Sequence, residues 1–247
     1  MFIIKKEKAM KIALIGYGKM GKAIEEIAVG KGHEVLLKLD ISNPEDFTTE
    51  NLAKCDVAIE FTSPHSAVEN LMKCFAAGIP VVCGSTGWLA EWEAIIKECE
   101  AVNGSLVYAS NYSIGVNLFF ELNTYLAKLM NNHPEYKVML EEIHHTQKKD
   151  APSGTAITLA EQVLKNITSK KQWVNHSSTH PSDLEIISER IDPAAGTHKI
   201  KYQSPVDDIE IIHTAHNRIG FAGGAILAAE FLVGKKGIYN MKQVLGL

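Results

Sequence analysis

The segment KIALIGYGKMGKAIEEIAVGKG, residues 11–32 of a 247-residue chain, constrains the fold more than any other stretch. Lys11–Ile15 is a short apolar run of strand length; Gly16-Tyr17-Gly18-Lys19-Met20-Gly21 follows at once, and Ile24, Ile27 and Ala28 then recur at helical spacing. A second apolar run, HEVLLKLD, ends at Asp40. Strand, glycine turn, helix, strand is the opening unit of a doubly wound parallel sheet. In that setting Gly16 permits the tight turn, Gly18 lets a pyrophosphate approach the backbone, and Gly21 allows close helix–strand packing. The phosphates then meet the free N–H groups of the helix start, and Lys19 adds a point charge. A glycine-rich turn in a sheet that binds no nucleotide is the alternative. Asp40, placed where a carboxylate can accept both hydroxyls of an adenosine ribose, favours NAD over NADP, although Lys38, Ser42 or Asn43 can offset it; a plain strand-end carboxylate is the other reading.

The same alternation continues through DVAIEF, SPHSAVENLMKCFAAG, IPVVCG, WLAEWEAIIKECEAV and SLVYASN. Ser63 can cap the second of these, Pro64 suits its first helical position and Gly78 can end it. The strand runs are continuously apolar, as strands covered on both faces require. A first, dinucleotide-binding domain is therefore expected over residues 10–113. The stretch GVNLFFELNTYLAKLMNN then has the period of a long helix, and YKVMLEEI, LEIISERI, THKIKYQ and DIEIIHTA tend towards period-two alternation, the mark of a mixed or antiparallel sheet. One helix, from about Gly154 to Ile167, interrupts them. This second, α+β domain covers residues 114–217. The last helix, GGAILAAEFLVG, is apolar enough to return to the first sheet, so residues 218–247 are assigned to the first domain. Two chain crossings, near Asn111–Val116 and Asn217–Gly223, would act as a hinge over a cleft.

A net charge of -4 gives no general reason to bind nucleic acid or an anionic membrane, and the tryptophans lack the basic interleaving of a strand-tracking surface. Cys55, Cys74, Cys83 and Cys99 form no CxxC pair and read as reduced packing residues of a cytoplasmic protein. No stretch reaches transmembrane length. The nine residues before Met10 read as an extension, which leaves Met1 and Met10 as alternative starts.

Chemistry concentrates in EEIHHTQKKDAPSGTA, residues 141–156. His144 and His145 can each donate a proton or a hydrogen bond, and Lys148 supplies a mobile cation. A helix beginning at Ser153 or Gly154 offers free N–H groups and the Thr155 hydroxyl to a carboxylate. The set suits an anionic substrate that gains a proton; histidines as metal ligands, without a carboxylate or cysteine at familiar spacing, and a solvated basic loop are the alternatives. Asp150 can cap the helix or hold Lys148. GSTGW, with Gly84, Ser85 and Thr86, and FTSP, with Phe61, lie after parallel strands where such folds bind ligands; simple strand-to-helix turns remain the other reading. Arg218 stands beside the second crossing, and His213 on its apolar strand reads as structural.

Taken together, GYGKMG, EFTSP, GSTGW, ASNYSIGVN, HHTQKKDAPSGTA and HNRIGFAGGA resemble the dihydrodipicolinate reductase family over nearly the whole chain from Lys11. The resemblance implies a nicotinamide-binding Rossmann domain and an α+β substrate-binding and assembly domain, commonly in a homotetramer. It implies reduction of a small cyclic dicarboxylate, 4-hydroxy-tetrahydrodipicolinate, to tetrahydrodipicolinate by NADH or NADPH in lysine and diaminopimelate biosynthesis. It further implies His144 and Lys148 in catalytic positions, His145, Ser153, Gly154 and Thr155 at the substrate, and Ser110, Asn111 and Tyr112 near the nicotinamide. The sequence departs from the family in its compact glycine turn, in Glu60 where many have aspartate, and in lacking the glycine usual two residues after Arg190. Another NAD(P)-dependent amino-acid or hydroxy-acid dehydrogenase, and a non-catalytic nucleotide sensor, are the competing functions.

Overall fold

A computed structural model describes residues 9–247; apart from Ala9, the extension read ahead of Met10 lies outside them. In chain order the elements are β1 (Lys11–Ile15), α1 (Lys19–Gly30), β2 (Glu34–Leu39), α2 (Thr49–Leu52), β3 (Val57–Glu60), α3 (Pro64–Ala76), β4 (Val81–Cys83), α4 (Trp92–Ala101) and β5 (Ser105–Tyr108). There follow α5 (Ile114–Met130), β6 (Lys137–His144), α6 (Gly154–Asn166), β7 (Gln172–Val174), β8 (Asp183–Arg190), β9 (Gly196–Gln203) and β10 (Asp208–Ala215). The chain ends with α7 (Ile219–Leu232), β11 (Gly237–Tyr239) and α8 (Met241–Leu245). These elements form two compact units, one from the residues up to Ser113 together with Ile219–Leu247, the other Ile114–Arg218.

In the first unit six strands lie in the order β11-β5-β4-β3-β1-β2, every neighbouring pair parallel. Successive strand residues face opposite cores. Ile12, Leu14, Val57 and Ile59 pack with α1 and α7, while Ala13, Ile15, Ala58 and Val81 pack with α3 and α4. Two covered faces explain why these strands are apolar without alternation. The four cysteines are buried free thiols in the second of these cores. Helix α7 begins at Ile219, four residues before the stretch GGAILAAEFLVG, and contacts α1, β3, β4 and β5, which is why it is apolar on all sides. Chain order reverses between β1 and β3, so the turn after β1 and the loop after β3 flank the switch point where such sheets take ligands.

The second unit holds a mixed sheet, β10-β9-β6-β8-β7, in which β6, β8 and β7 run parallel and β9 is antiparallel to both β6 and β10. Along β6 every second residue is buried: Val138, Leu140, Glu142 and His144. The first two join a core with α5, α6, Ile186, Ile200 and Tyr202. The next two continue the same inward face, and they are polar. Register extends this into a row across four strands, Ser188–Glu142–His198–His213, with Arg190 opposite His144 one step further on. The outward face carries ion pairs such as Lys199 with Glu141 and Glu210, and Lys201 with Asp208.

The short β7, β11 and α8 have no counterpart in the sequence reading; two of them are three-residue strands defined by their pairing partners. No helix among the described residues is long and apolar enough to cross a membrane.

Candidate active site

In the first unit the glycine turn is built by close approach. Gly16 has φ +94°, and a Cβ there would lie 2.1 Å from the Phe61 carbonyl oxygen; one at Gly21 would lie 2.3 Å from the carbonyl oxygen of Gly16. Only glycine fits either place. Gly18 is the N-cap of α1 with no side-chain cap, and open space surrounds the position where its Cβ would sit, leaving the first-turn amides to be met by something else. Tyr17 and Met20 pack against the core, while Lys19 is exposed. The Tyr17 hydroxyl bonds Glu25, which pairs with Lys38 at 2.5 Å. Lys38 is thereby committed away from Asp40. Asp40 is exposed, its carboxylate accepting the Ile41 N–H at 2.8 Å, and Asn43 bonds the Lys38 carbonyl and Asp46.

The loops after β3 and β4 converge on one buried carboxylate. Glu60 is inaccessible to solvent; its Oε1 accepts the Thr62 N–H at 3.1 Å, the Thr62 hydroxyl, Ser85 Oγ at 3.0 Å and Asn70 Nδ2 at 3.3 Å, while Oε2 accepts from Cys83 Sγ at 3.2 Å. The Phe61 ring lies where a Gly84 side chain would be, 5.6 Å from the ring of Tyr112. Gly16–Gly21, Phe61, Gly84, Ser85 and Thr86 thus share the carboxyl edge of the sheet, but the side chains differ in what they can offer. The Ser85 hydroxyl is engaged by Glu60. Tyr112 is 2% exposed with its hydroxyl 2.8 Å from the Cys83 carbonyl, a packing group rather than a ligand-facing one. Ser110 is exposed, and Asn111 Oδ1 accepts the Ser113 N–H at 2.9 Å. Arg218 is exposed and falls in the second unit.

In the second unit Glu142, wholly buried, is the hub. Both its oxygens accept the Ser153 N–H at 3.1 Å, and Oε1 also accepts Ser188 Oγ at 2.8 Å and Arg190 at 3.1 Å. Arg190 also donates to the Asp150 carbonyl at 2.5 Å, so the loop from β6 to α6 is tied to β8. Within that loop Lys148 donates to both oxygens of Asp150 at 2.8 and 2.9 Å, the holding role foreseen for that aspartate. Ser153 caps α6 through the Ala156 N–H, Gly154 is exposed, and Thr155 is half-buried beside it. Among the described residues, the buried side-chain atoms without a hydrogen-bond partner include Nδ1 of His144, His145 and His213. Buried polar atoms are normally paired, and His144, the last residue of β6, and His145, the first of the loop after it, are adjacent exceptions.

Burial lowers the His144 pKa, Lys148 and Arg190 push the same way, and the attraction of Glu142 opposes them. Burial and then His144 bring His198 down to about 4. Both rings are therefore neutral at neutral pH. Burial works to raise the Glu142 pKa, yet the bonds from Ser153, Ser188 and Arg190 hold it below the ordinary carboxylate value. Glu142, His144 and His198 bring one donor atom each within 4.8 Å of one another. The sequence argument against a metal, the lack of a nearby carboxylate, overlooked Glu142 in the fold. Arg190 already pairs with Glu142 at 3.1 Å, so one of the three donor groups has a cationic partner within the protein.

Glu142, Ser188, Arg190 and His198 escaped the sequence reading. The available signal was strand parity: Glu142 stands on the inward phase of Val138 and Leu140, and an inward acid needs partners.

Family models for the dihydrodipicolinate reductase N-terminus and C-terminus match residues 10–112 and 115–245. The chain belongs to the dihydrodipicolinate reductase family. This reductase is 46% identical over 238 residues to the 4-hydroxy-tetrahydrodipicolinate reductase of Christiangramia forsetii, covering 96% of this chain and 98% of that protein. It is 34% identical over 241 residues to that of Methanosarcina mazei, covering 96% and 89%. A dipicolinate-bound dihydrodipicolinate reductase from Paenisporosarcina sp. TG-14 has the same fold, with a TM-score of 0.77 at 23% identity over 94% of this chain and 98% of that one. The reductase is accordingly an oxidoreductase that uses a reduced nicotinamide cofactor.

Proposed function

We propose that the two units divide the work of the family's reaction between a cofactor site on the glycine turn and a dicarboxylate site on the loop from β6 to α6. The reaction is the reduction of 4-hydroxy-tetrahydrodipicolinate to tetrahydrodipicolinate with NAD(P)H, in lysine and diaminopimelate biosynthesis. The observation that carries the division is the convergence of His144, Arg190 and the α6 start around Glu142, with Lys148 on the adjoining loop, a compact cluster of hydrogen-bonding groups for a ring with two carboxylates.

The cofactor, when bound, supplies the hydride. The uncapped amides of α1 hold its pyrophosphate, with Lys19 nearby, and the loops at Phe61 and Gly84–Thr86 take the nicotinamide end. His145, the Ser153 hydroxyl and the amides of Gly154 and Thr155 grip the substrate carboxylates. Lys148, held in place by Asp150, donates the proton that neutralises the enamine-like charge left by reduction. His144, neutral and buried, serves as a hydrogen-bond donor that orients the ring. NADH is preferred over NADPH, because a 2'-phosphate at Asp40 would meet like charge and Lys38 is already held by Glu25. The reductase assembles as a homotetramer through its second unit, where β10 is an edge strand with exposed Ile209 and Ile212.

The test follows the loss of reduced-nicotinamide absorbance with freshly made synthase product, using each cofactor, on the wild type and on Asp40→Ala, Lys148→Met and His144→Gln. Lys148→Met should abolish turnover, His144→Gln should chiefly raise KM, and Asp40→Ala should narrow the NADH preference. Turnover surviving in Lys148→Met would assign the proton elsewhere.

A further inference from the structure

The Lys148 N–H donates to the His145 carbonyl at 3.1 Å, which closes His145-Thr146-Gln147-Lys148 into a β-turn directly after β6. The residue proposed to grip a substrate carboxylate and the one proposed to supply the proton are the two ends of that turn. Both side chains move with its backbone. Nδ1 of the His145 ring is buried without a hydrogen-bond partner, so no bond there directs the ring, and Lys148 is tied to Asp150, two residues on in the same loop.

A turn bonded across its ends can still tilt about the line joining them. A carboxylate from another loop opposes that tilt. Asp192, in the connection from β8 to β9, accepts the Thr146 N–H at 3.2 Å on Oδ1 and the Thr146 hydroxyl at 2.6 Å on Oδ2. These two bonds hold its carboxyl below the ordinary carboxylate value, so at neutral pH it is ionised and acts only as an acceptor. The backbone beside Asp192 is itself anchored: the Ile191 N–H donates to the His144 carbonyl at 2.8 Å, and the Ala194 N–H to the Ile191 carbonyl at 3.0 Å. Register explains the placement. Strands β6 and β8 are parallel with His144 opposite Arg190, so two residues further along each chain Thr146 comes level with Asp192. Where backbone pairing ends, the aspartate side chain continues it.

We propose that Asp192 is a positioning residue for the reductase reaction: its carboxylate pins Thr146 and so sets the pose of the turn that carries His145 and Lys148. The inference rests on the reading that this turn faces the substrate.

Charge and positioning act here with opposite signs, which makes them separable. A carboxylate close to a dianion weakens its binding by repulsion, whereas a pinned turn strengthens it. Dipicolinate affinity of the full chain, measured by calorimetry, reads the balance without turnover. Asp192→Ala should weaken binding about fivefold, less than a buried bond to a charged group would cost, because both partners are exposed. Asp192→Asn keeps an oxygen for the N–H and an amide for the hydroxyl while losing the charge, and should bind at least as well as the wild type. Thr146→Val loses only the hydroxyl bond and should cost about twofold; in that background Asp192→Ala should cost less than it does alone. A purely structural role would lower the melting temperature of Asp192→Ala and leave dipicolinate affinity unchanged. That result, or tighter binding in Asp192→Ala, would overturn the inference. His145→Ala tests the reading beneath it: unchanged dipicolinate binding there would sink the substrate-facing turn itself, while weaker binding there with none lost in Asp192→Ala would refute the inference alone. Should Asp192→Ala fail to fold, Thr146→Ser, which keeps the hydroxyl, is compared with Thr146→Val, and equal affinities in the two would refute the proposal.

Discussion

Replacing Glu142 with glutamine isolates the charge of the buried hub while keeping its shape. The wild-type carboxylate is inaccessible and receives the Ser153 N–H, Ser188 Oγ and Arg190. An amide retains one acceptor oxygen. Its NH2 group must then face either the Ser153 N–H or the cluster of Ser188 and Arg190, and Arg190 loses its countercharge. One degraded bond to a charged group costs about 1.5–3 kcal/mol, and removing one partner of a buried ion pair costs about 3–5 kcal/mol. Arg190 keeps some access to solvent, with 20% of its side chain exposed, so the lower end applies: about 3 kcal/mol. For a domain of this size that lowers the melting temperature of the second unit by about 10–20 °C. The dependence on pH carries the sharper test. Because the folded-state pKa of Glu142 is depressed, its contribution is fully present above the unfolded-state value and is lost as pH falls through the folded one. Scanning calorimetry of wild type and Glu142→Gln should show the full gap at pH 7.5 and a gap that closes below about pH 4. A gap that is constant with pH, or under about 0.5 kcal/mol at pH 7.5, would mean that the carboxyl is protonated in the folded protein, and the account of the hub would fall.

Two further perturbations probe the first unit and the assembly. Gly84→Ala would place a methyl group 2.1 Å from the Phe61 ring, with the Tyr112 ring close behind; the displaced loop should cost about 1–3 kcal/mol of stability and weaken NADH binding measured by fluorescence. Ile212→Lys adds a charge to an apolar position that is 56% exposed on the edge strand. Light scattering should then report a smaller assembly than the wild type, and an unchanged mass would exclude β10 from the interface.

How much of this was legible in the sequence depended on whether the signal was local. The strands β1, β3, β4 and β5 were readable because burial on two faces forces continuous apolar runs, and α1 because a glycine turn announces its start. Three residues of QWV or GIY carry no such period; they are strands only because β8 and β5 offer them a ladder. The site divides in the same way. His144, Lys148 and Ser153 lie within one short window and could be grouped by eye. Glu142 lay in that window too, but its role comes from Ser188 and Arg190 on β8 and His198 on β9, which only strand register brings together. His198 sits in THKIKYQ among alternating residues, where nothing distinguishes it from a histidine in an ordinary strand.

Glu60 and Glu142 pose one physical problem and solve it alike. Each is a fully buried acid near the carboxyl end of a central strand, and each accepts hydrogen bonds both from neighbouring elements and from a loop that carries proposed ligand contacts. A buried charge is costly unless every lone pair is met, so any drift of those loops leaves the carboxylate under-satisfied and is resisted. Such a hub is a poor way to gain stability and a good way to hold loop geometry. Reach then explains why glutamate suits position 60. From the end of β3 the carboxylate must meet Thr62 two residues on, Ser85 beyond the next strand and Asn70 on α3 together. Aspartate is one methylene shorter, about 1.5 Å, and would leave Ser85 or Asn70 beyond hydrogen-bond range unless the Gly84–Ser85 loop moved inward. Phe61 already occupies the space beside Gly84 and blocks that movement.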